Sequence, residues 1–219
     1  MSNHTAPSPS QIEIDAYALY RNDHRVEHPK ANKGGWLLGI GFGLYSIAAI
    51  MLSATGIYAN SHPAFVAMTV VAAMASLVIA YLTVPSIRAF VERLGPYGLA
   101  TFHVWRVFAA AAFLYYGSQG WLPGLFVNLA GWGDMLAGVL AAALILLPVT
   151  TRRIVAFHVV GFADFVVAVG TGLTLQLLAV PTMSTIAHLP IALIPLIGVP
   201  LSGASHIAAF HLMLKQRNG

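Results

Sequence analysis

Residues 97–116 read YGLATFHVWRVFAAAAFLYY and contain one charged residue, Arg106. The rest of the segment is apolar or weakly polar, with tyrosines at both ends. A helix of about 20 such residues crosses the ~30 Å hydrocarbon core of a bilayer, and tyrosine favours the membrane interface. The segment therefore predicts a membrane-spanning helix that carries an arginine in its interior.

The composition of the whole chain agrees with this reading. Only 8% of the 219 residues are charged and 58% are hydrophobic, whereas soluble domains carry about 25% charged residues. A net charge of +4 does not indicate nucleic-acid binding, because the basic residues form no patch interleaved with aromatic residues. The chain has no cysteine and no nucleophile elbow, phosphate-binding loop or dinucleotide fingerprint, so the sequence favours a membrane protein that is not an enzyme.

Five further apolar segments of similar length accompany the first. Together the six predicted spans are 35–58, 64–84, 97–116, 124–147, 154–179 and 186–213. They predict an all-α polytopic membrane protein, a single bundle of six transmembrane helices over residues 34–214. A polar arm (1–33) precedes the bundle and a short tail (215–219) follows it.

The basic residues outside the spans fall on alternate connections. They are Arg21, Arg25, Lys30, Lys33, Arg88, Arg93, Arg152, Arg153, Lys215 and Arg217. The other connections, 59–63, 117–123 and 180–185, contain no lysine or arginine. Because basic residues are retained on the cytoplasmic side, both termini are expected in the cytoplasm.

Apart from histidines and tyrosines, three ionisable residues lie inside predicted spans: Arg106, Asp134 and Asp164. Spans three and five start from the same face, which places Arg106 and Asp164 at comparable depths. Isolated charges at this depth are costly, so the three residues should pair or the carboxylates should be neutral. Since one arginine cannot neutralise two aspartates, they predict a polar midplane site in which the remaining carboxylate carries a proton or binds a cation. A purely structural ion pair is the alternative.

The two aspartates occur in similar surroundings, Gly131-Trp132-Gly133-Asp134 and Gly161-Phe162-Ala163-Asp164. Consecutive spans run in opposite directions, so the similarity is what a remnant of an inverted repeat around a midplane site would leave. The small residues more safely indicate close packing between helices.

Four histidines are expected in the cytoplasmic half of the membrane: His103, His158, His206 and His211. Imidazoles that face each other across helices can hold a b-type haem or a metal ion. The alternative is histidines that are only hydrogen-bonded or interfacial.

Span six carries Pro190, Pro195 and Pro200. Each proline lacks a backbone donor and frees a carbonyl, so this helix should be kinked or partly open. The start of span four, after Pro123-Gly124, should also be loosely wound or re-entrant.

Three stretches carry a resemblance to a known group of proteins. They are Phe102-His103-Val104-Trp105-Arg106-Val107, the Gly131–Asp134 motif, and the Gly161–Asp164 motif with Phe165-Val166-Val167-Ala168-Val169 after it. With the proline-spaced sixth span, residues 97–213 resemble a family of small uncharacterised bacterial integral membrane proteins. The resemblance implies a multi-pass protein of the bacterial cytoplasmic membrane and implies no activity.

The sequence therefore favours a small proton- or ion-linked transporter whose site contains Arg106, Asp134 and Asp164. A second hypothesis is a membrane redox protein that binds haem b through two of the four histidines. A third is a non-catalytic accessory or assembly subunit. The expected partner is the lipid bilayer, no nucleic acid is expected, and the glycine-rich helix faces allow a homo-oligomer.

Overall fold

The computed structural model describes residues 29–217, so most of the predicted polar arm lies outside the described residues. The described part is helical and has no strand. Its six long helices are α1 (Pro29–Ala54), α2 (Ala64–Thr83), α3 (Pro85–Ser118), α4 (Gly124–Leu146), α5 (Thr151–Leu177) and α6 (Ile194–Gln216). Each is long and apolar enough to cross a membrane, so the prediction of six candidate membrane-spanning helices is confirmed.

The outer surface of the bundle is apolar. Leu146, Phe108 and Trp36 are 82%, 75% and 74% exposed, and a water-soluble protein would not present many such side chains together. The buried side chains lie mainly between α3, α4, α5 and α6, whereas α1 is mostly exposed. A surface of this kind suits lipid contact and indicates a multi-pass membrane protein.

A glycine divides α3 into two parts. Gly95 has φ +64° and ψ 173°, a left-handed conformation that glycine adopts without steric cost. Pro96, which follows it, cannot donate a backbone hydrogen bond. The part before the break carries Arg88 and Arg93 and packs along the start of α1. The membrane-spanning part of α3 therefore begins near residue 97, where the predicted third span starts.

The described lysines and arginines other than Arg106 gather at one end of the bundle, called the basic end below. Arg93 donates a hydrogen bond to Asn32 Oδ1 at 2.9 Å, and Lys215 forms an exposed ion pair with Glu92 at 2.9 Å. The start of α1, the first part of α3 and the end of α6 therefore meet there. The connection before α5 joins them, because Val149 and Ile154 belong to the same apolar cluster as Tyr97 and Met213. The connections at the opposite end, in the part of the chain that is described, contain no lysine or arginine.

The sixth helix starts later than the sequence indicates. The predicted span began at residue 186, but α6 begins at Ile194, after a short 3-10 segment, Met183–Ala187, and a turn. The residue before a proline avoids the helical conformation, and Leu189 precedes Pro190. Residues 183–193 therefore form a packed, irregular entry to α6.

Two helices open with a π-helical turn. These turns are Val127–Gly131 in α4 and Ile194–Gly198 in α6. The second contains Pro195, and Pro200 follows in the next turn. Wide turns of this kind are frequent at functional sites, and both lie beside the cavity described below.

A glycine fixes how closely α3 and α4 approach, which gives a test of the packing. A Cβ at Gly138 would lie 2.7 Å from the backbone nitrogen of Val107, whereas a Cβ at Gly170 would meet nothing within 4 Å. Gly138→Ala should lower the free energy of unfolding by about 1–3 kcal/mol because backbone must move. Gly170→Ala, the matched control, should be neutral or slightly stabilising. Thermal unfolding of both variants in detergent measures this, and equal stability would contradict the packing of α3 on α4.

Candidate functional site

Arg106 lies at the centre of the bundle and is only 3% exposed. It follows a 3-10 turn, Phe102–Trp105, within α3. Its Nε donates to Asp134 Oδ1, its Nη2 donates to Asp164 Oδ2, and its Nη1 donates to the carbonyl of Gly161 at 3.3 Å. One guanidinium therefore joins α3, α4 and α5, and the three residues are called the triad below.

Small residues allow the two carboxylates to reach the same arginine. Asp134 lies in the first turn after the π-helical opening of α4, and Asp164 lies in the middle of α5. A Cβ at Gly133 would overlap Asp164 Oδ1, and a Cβ at Gly161 would come within 4 Å of Arg106 Nη1. The glycines of the two similar sequence motifs thus serve neighbouring parts of the site, since Gly133 provides room for Asp164 and Gly161 provides room for the ring of His206.

The charges of the triad do not balance. Arg106 carries one positive charge, while Asp134 and Asp164 together carry two negative charges when both are ionised. Water is largely excluded, because the side chains of the two aspartates are 9% and 13% exposed. Burial disfavours an uncompensated charge, so the site can gain stability by taking up one proton or one cation.

A cavity of about 80 Å³ lies next to the triad, with Arg106 and Asp134 in its wall. One water needs roughly 10–15 Å³ on the same scale, so several waters or a small ligand fit. The cavity extends away from the basic end, past Phe126 and Met183 to Gln176 near the end of α5. Its lining is mostly apolar, so the polar groups at the triad would fix the orientation of a ligand.

Two polar atoms beside this cavity lack a partner among the described residues. They are Trp105 Nε1 and Ser202 Oγ, and both residues line the cavity. Buried polar groups are normally hydrogen-bonded, so these atoms are suited to bind a ligand or water inside the cavity. Sequence reasoning did not single out Trp105, Ser202 or Gln176. A polar residue within an apolar helix was the available signal, but the sequence does not show which side of the helix it occupies.

Three of the four predicted histidines meet between the triad and the basic end. His103, His158 and His206 are fully buried. The ring centroids of His103 and His206 are 4.2 Å apart and stacked, and His206 Nδ1 lies 3.0 Å from His158 Nδ1. The fourth, His211, is exposed and lies outside this cluster, with its Nδ1 2.7 Å from Tyr81 Oη.

The histidine arrangement does not fit a haem or a metal ion. Two axial ligands of a haem face each other across the iron, whereas here the rings touch directly and fill the space between them. Of the histidine and carboxylate groups that the model describes, no three are placed to hold a metal ion. No step of the site's chemistry is therefore assigned to either group.

A comparison with protein families matches residues 63–214 to a domain of unknown function, DUF8737. The matched region covers α2 to α6, and therefore the triad, the cavity and the histidine cluster. No curated protein and no solved structure matches the chain.

The triad predicts an unusual order of stabilities among its variants. Arg106→Gln should lower the free energy of unfolding by about 3–5 kcal/mol, because it leaves two buried carboxylates without a counter-charge. The triple variant Arg106→Gln, Asp134→Asn, Asp164→Asn should recover much of this loss, because no charge is then buried. Thermal unfolding in detergent measures both.

The matched control is Lys215→Gln, which breaks the exposed pair with Glu92 and should cost less than about 1 kcal/mol. If Arg106→Gln were as stable as this control, the ion-pair geometry of the triad would be contradicted.

Proposed function

The chain belongs to the DUF8737 family, whose function is unknown, and we propose that it is a small proton- or ion-linked transporter with the triad as its binding site. One observation carries the proposal. Two carboxylates share one arginine in the wall of a cavity inside a bundle of candidate membrane-spanning helices. Ionisable residues at such a depth commonly mark substrate or ion pathways.

The charge imbalance supports a cation as the species bound. A proton or a small cation at the triad would neutralise the remaining carboxylate and lower the cost of burying it. The free oxygens of Asp134 and Asp164 are the groups that would accept it, since Arg106 already engages one oxygen of each. The apolar walls of the cavity would contact any hydrocarbon part of a transported solute.

The two sides of the triad differ in a way that suits alternating access. The cavity lies on the side away from the basic end, while the histidine cluster fills the side towards it. Pro195 and Ser202 of α6 line the cavity, and α6 opens with a π-helical turn. We infer that movement of α6 against α3 and α5 closes the cavity and opens the histidine side.

We place the basic end in the cytoplasm of a bacterium, with both termini on that side of the cytoplasmic membrane. The positive-inside rule supports this orientation, and the resemblance to bacterial membrane proteins supports the location.

Charge movement by the reconstituted protein tests the proposed function. Proteoliposomes on a solid-supported membrane would receive rapid jumps in pH, in Na⁺ and in a panel of small amines at constant pH. Wild-type protein should give a transient current with at least one of them, and Asp164→Asn should reduce it about a hundredfold because the excess negative charge is lost.

The matched control is Glu92→Gln, which removes an exposed carboxylate at the basic end and should leave the current unchanged. If no jump moved charge in the wild type, the triad would be structural and an accessory subunit would be the better description. An undiminished current in Asp164→Asn would contradict the assignment of the site.

Cysteine labelling tests the orientation, since the natural chain has no cysteine. Gln119→Cys and Ser184→Cys place a thiol at exposed positions away from the basic end, and Thr151→Cys and Gln216→Cys place one at exposed positions of that end. In intact cells a membrane-impermeant maleimide should label the first two, and the second two should react only after lysis. The reverse pattern would place the basic end outside the cytoplasm.

A further inference from the structure

The three buried histidines have a definite pattern of hydrogen bonds. His158 Nε2 lies 3.0 Å from the carbonyl of Pro96, which can only accept, so His158 Nε2 carries a proton. In the neutral ring the other nitrogen then has a lone pair, and His206 Nδ1, 3.0 Å away, must donate to it. Neutral His206 is consequently unprotonated at Nε2, and this nitrogen has no partner among the described residues.

His206 Nε2 lies close to the triad, beside Gly161. The point that a Cβ of Gly161 would occupy lies 3.1 Å from His206 Nε2 and 3.7 Å from Arg106 Nη1. The side chain of His206 is fully buried. The missing side chain of Gly161 therefore leaves space for the ring of His206 near the guanidinium of Arg106. An orphaned acceptor at this depth is costly unless a proton or a water reaches it.

The surroundings of the pair can support a positive charge. The ring of His103 stacks on His206, and the ring centroids of Phe157 and Phe162 lie 5.8 and 6.0 Å from that of His206. An aromatic face within about 6 Å attracts a cation, and of the two phenylalanines Phe157 lies closer to parallel with the ring of His206. The ionisable groups beside His206 are His103 and Arg106 of α3 and His158 of α5. Because Arg106 opposes a charge on His206, the charge is better held on His158.

We propose that the His206–His158 pair exchanges a proton with the triad, so that the ion coupled to transport is the proton. This inference rests on the proposed function. When Asp134 or Asp164 is protonated, its O–H bond breaks and an N–H bond forms at His206 Nε2, with a bridging water passing the proton between them. The carboxylate that results restores its ion pair with Arg106.

A second transfer moves the charge towards the basic end. The Nδ1–H bond of His206 breaks and an N–H bond forms at His158 Nδ1. His206 is then neutral with its proton on Nε2, and His158 is a cation that keeps its hydrogen bond to Pro96. Pro96 directly follows Gly95, where α3 turns into the basic end. Binding of a cationic solute at the triad would displace the proton into the pair, and release of the solute would return it.

We assign no proton transfer to His103, although its Nδ1 is also buried without a partner among the described residues. Its Nε2 lies 2.8 Å from Ser205 Oγ, and that hydroxyl donates to the carbonyl of Ser202, so His103 Nε2 is the donor. The ring of His103 is positioned to stack on His206 and hold it, and its role is that of a positioning residue.

Currents driven by pH jumps test the exchange. His206→Gln keeps a polar side chain but cannot carry a proton, and it should reduce the pH-driven current of proteoliposomes about a hundredfold or more. The matched control is His211→Gln, which changes an exposed histidine on the same helix, outside the cluster, and should keep the current.

Gly161→Ala places a Cβ 2.8 Å from His206 Cε1, displaces the ring from the triad and should also reduce the current. Thermal unfolding verifies that each variant is folded.

The outcomes separate the two proposals. A wild-type current with Na⁺ or amine jumps but none with pH jumps would overturn proton coupling and leave the transporter standing. A full pH-driven current in folded His206→Gln or Gly161→Ala would overturn the role of the pair. If no jump gave a current, the transporter itself would fail, and proton coupling would fail with it.

Nitrogen-15 NMR of histidine-labelled protein tests the pair without any flux. The resonances that disappear in His206→Gln should belong to a ring protonated at Nδ1 and bare at Nε2. A neutral His206 with its proton on Nε2 would overturn the inference, because it would have no free acceptor facing the triad.

Discussion

A single guanidinium inside an apolar bundle constrains the whole structure. A charge in a membrane interior is costly by itself, so α3 must meet helices that supply carboxylates at the same depth. Arg106 binds Asp134 of α4 and Asp164 of α5, and its remaining bond goes to the backbone of α5 at Gly161. The close approach of these helices follows, because a Cβ at Gly133 would overlap Asp164 and a Cβ at Gly138 would crowd the backbone beside Arg106.

The depth of a residue within the bundle could be predicted from the sequence, but the side of its helix on which it lies could not. Runs of apolar residues revealed six helices, and spacing from the basic connections indicated that Arg106 and Asp164 lie at comparable depths. The histidines show the limit of this reasoning. His206 and His211 both lie towards the basic end of α6, yet one contacts His158 at 3.0 Å and the other contacts Tyr81 at 2.7 Å. Which neighbour a side chain meets depends on helix rotation and crossing, which composition does not encode. The late start of α6 was missed for a related reason, because residues 183–193 are apolar enough for a span but are packed as 3-10 helix and turn.

The proposed mechanism follows from the difference between the two sides of the triad. One side is a largely apolar cavity that extends to Gln176, and the other is a buried cluster of imidazoles that ends at the carbonyl of Pro96. The irregular backbone lies in α4 and α6 at the edge of the cavity, and in α3 at Gly95 beside the basic end. These are the places where a helix can bend without breaking regular hydrogen bonds. A site that holds one excess negative charge between a cavity and a set of proton acceptors is suited to exchange a cation for a proton. The family match covers all of these elements, whereas α1 lies outside it.

The contact between the arginine and the aspartates can be measured directly. Rotational-echo double-resonance NMR on membranes that contain the protein, with nitrogen-15 arginine and carboxyl-carbon-13 aspartate, detects nitrogen and carbon atoms within a few ångströms. In the part of the chain that the structure describes, the only aspartates are Asp134 and Asp164, and both accept hydrogen bonds from Arg106. Strong dephasing of aspartate carboxyl carbons that disappears in Arg106→Lys, where the side-chain nitrogen no longer comes from arginine, is the expected result. The absence of any dephased aspartate carboxyl signal, or dephasing that persists unchanged in that variant, would contradict the central role of the triad.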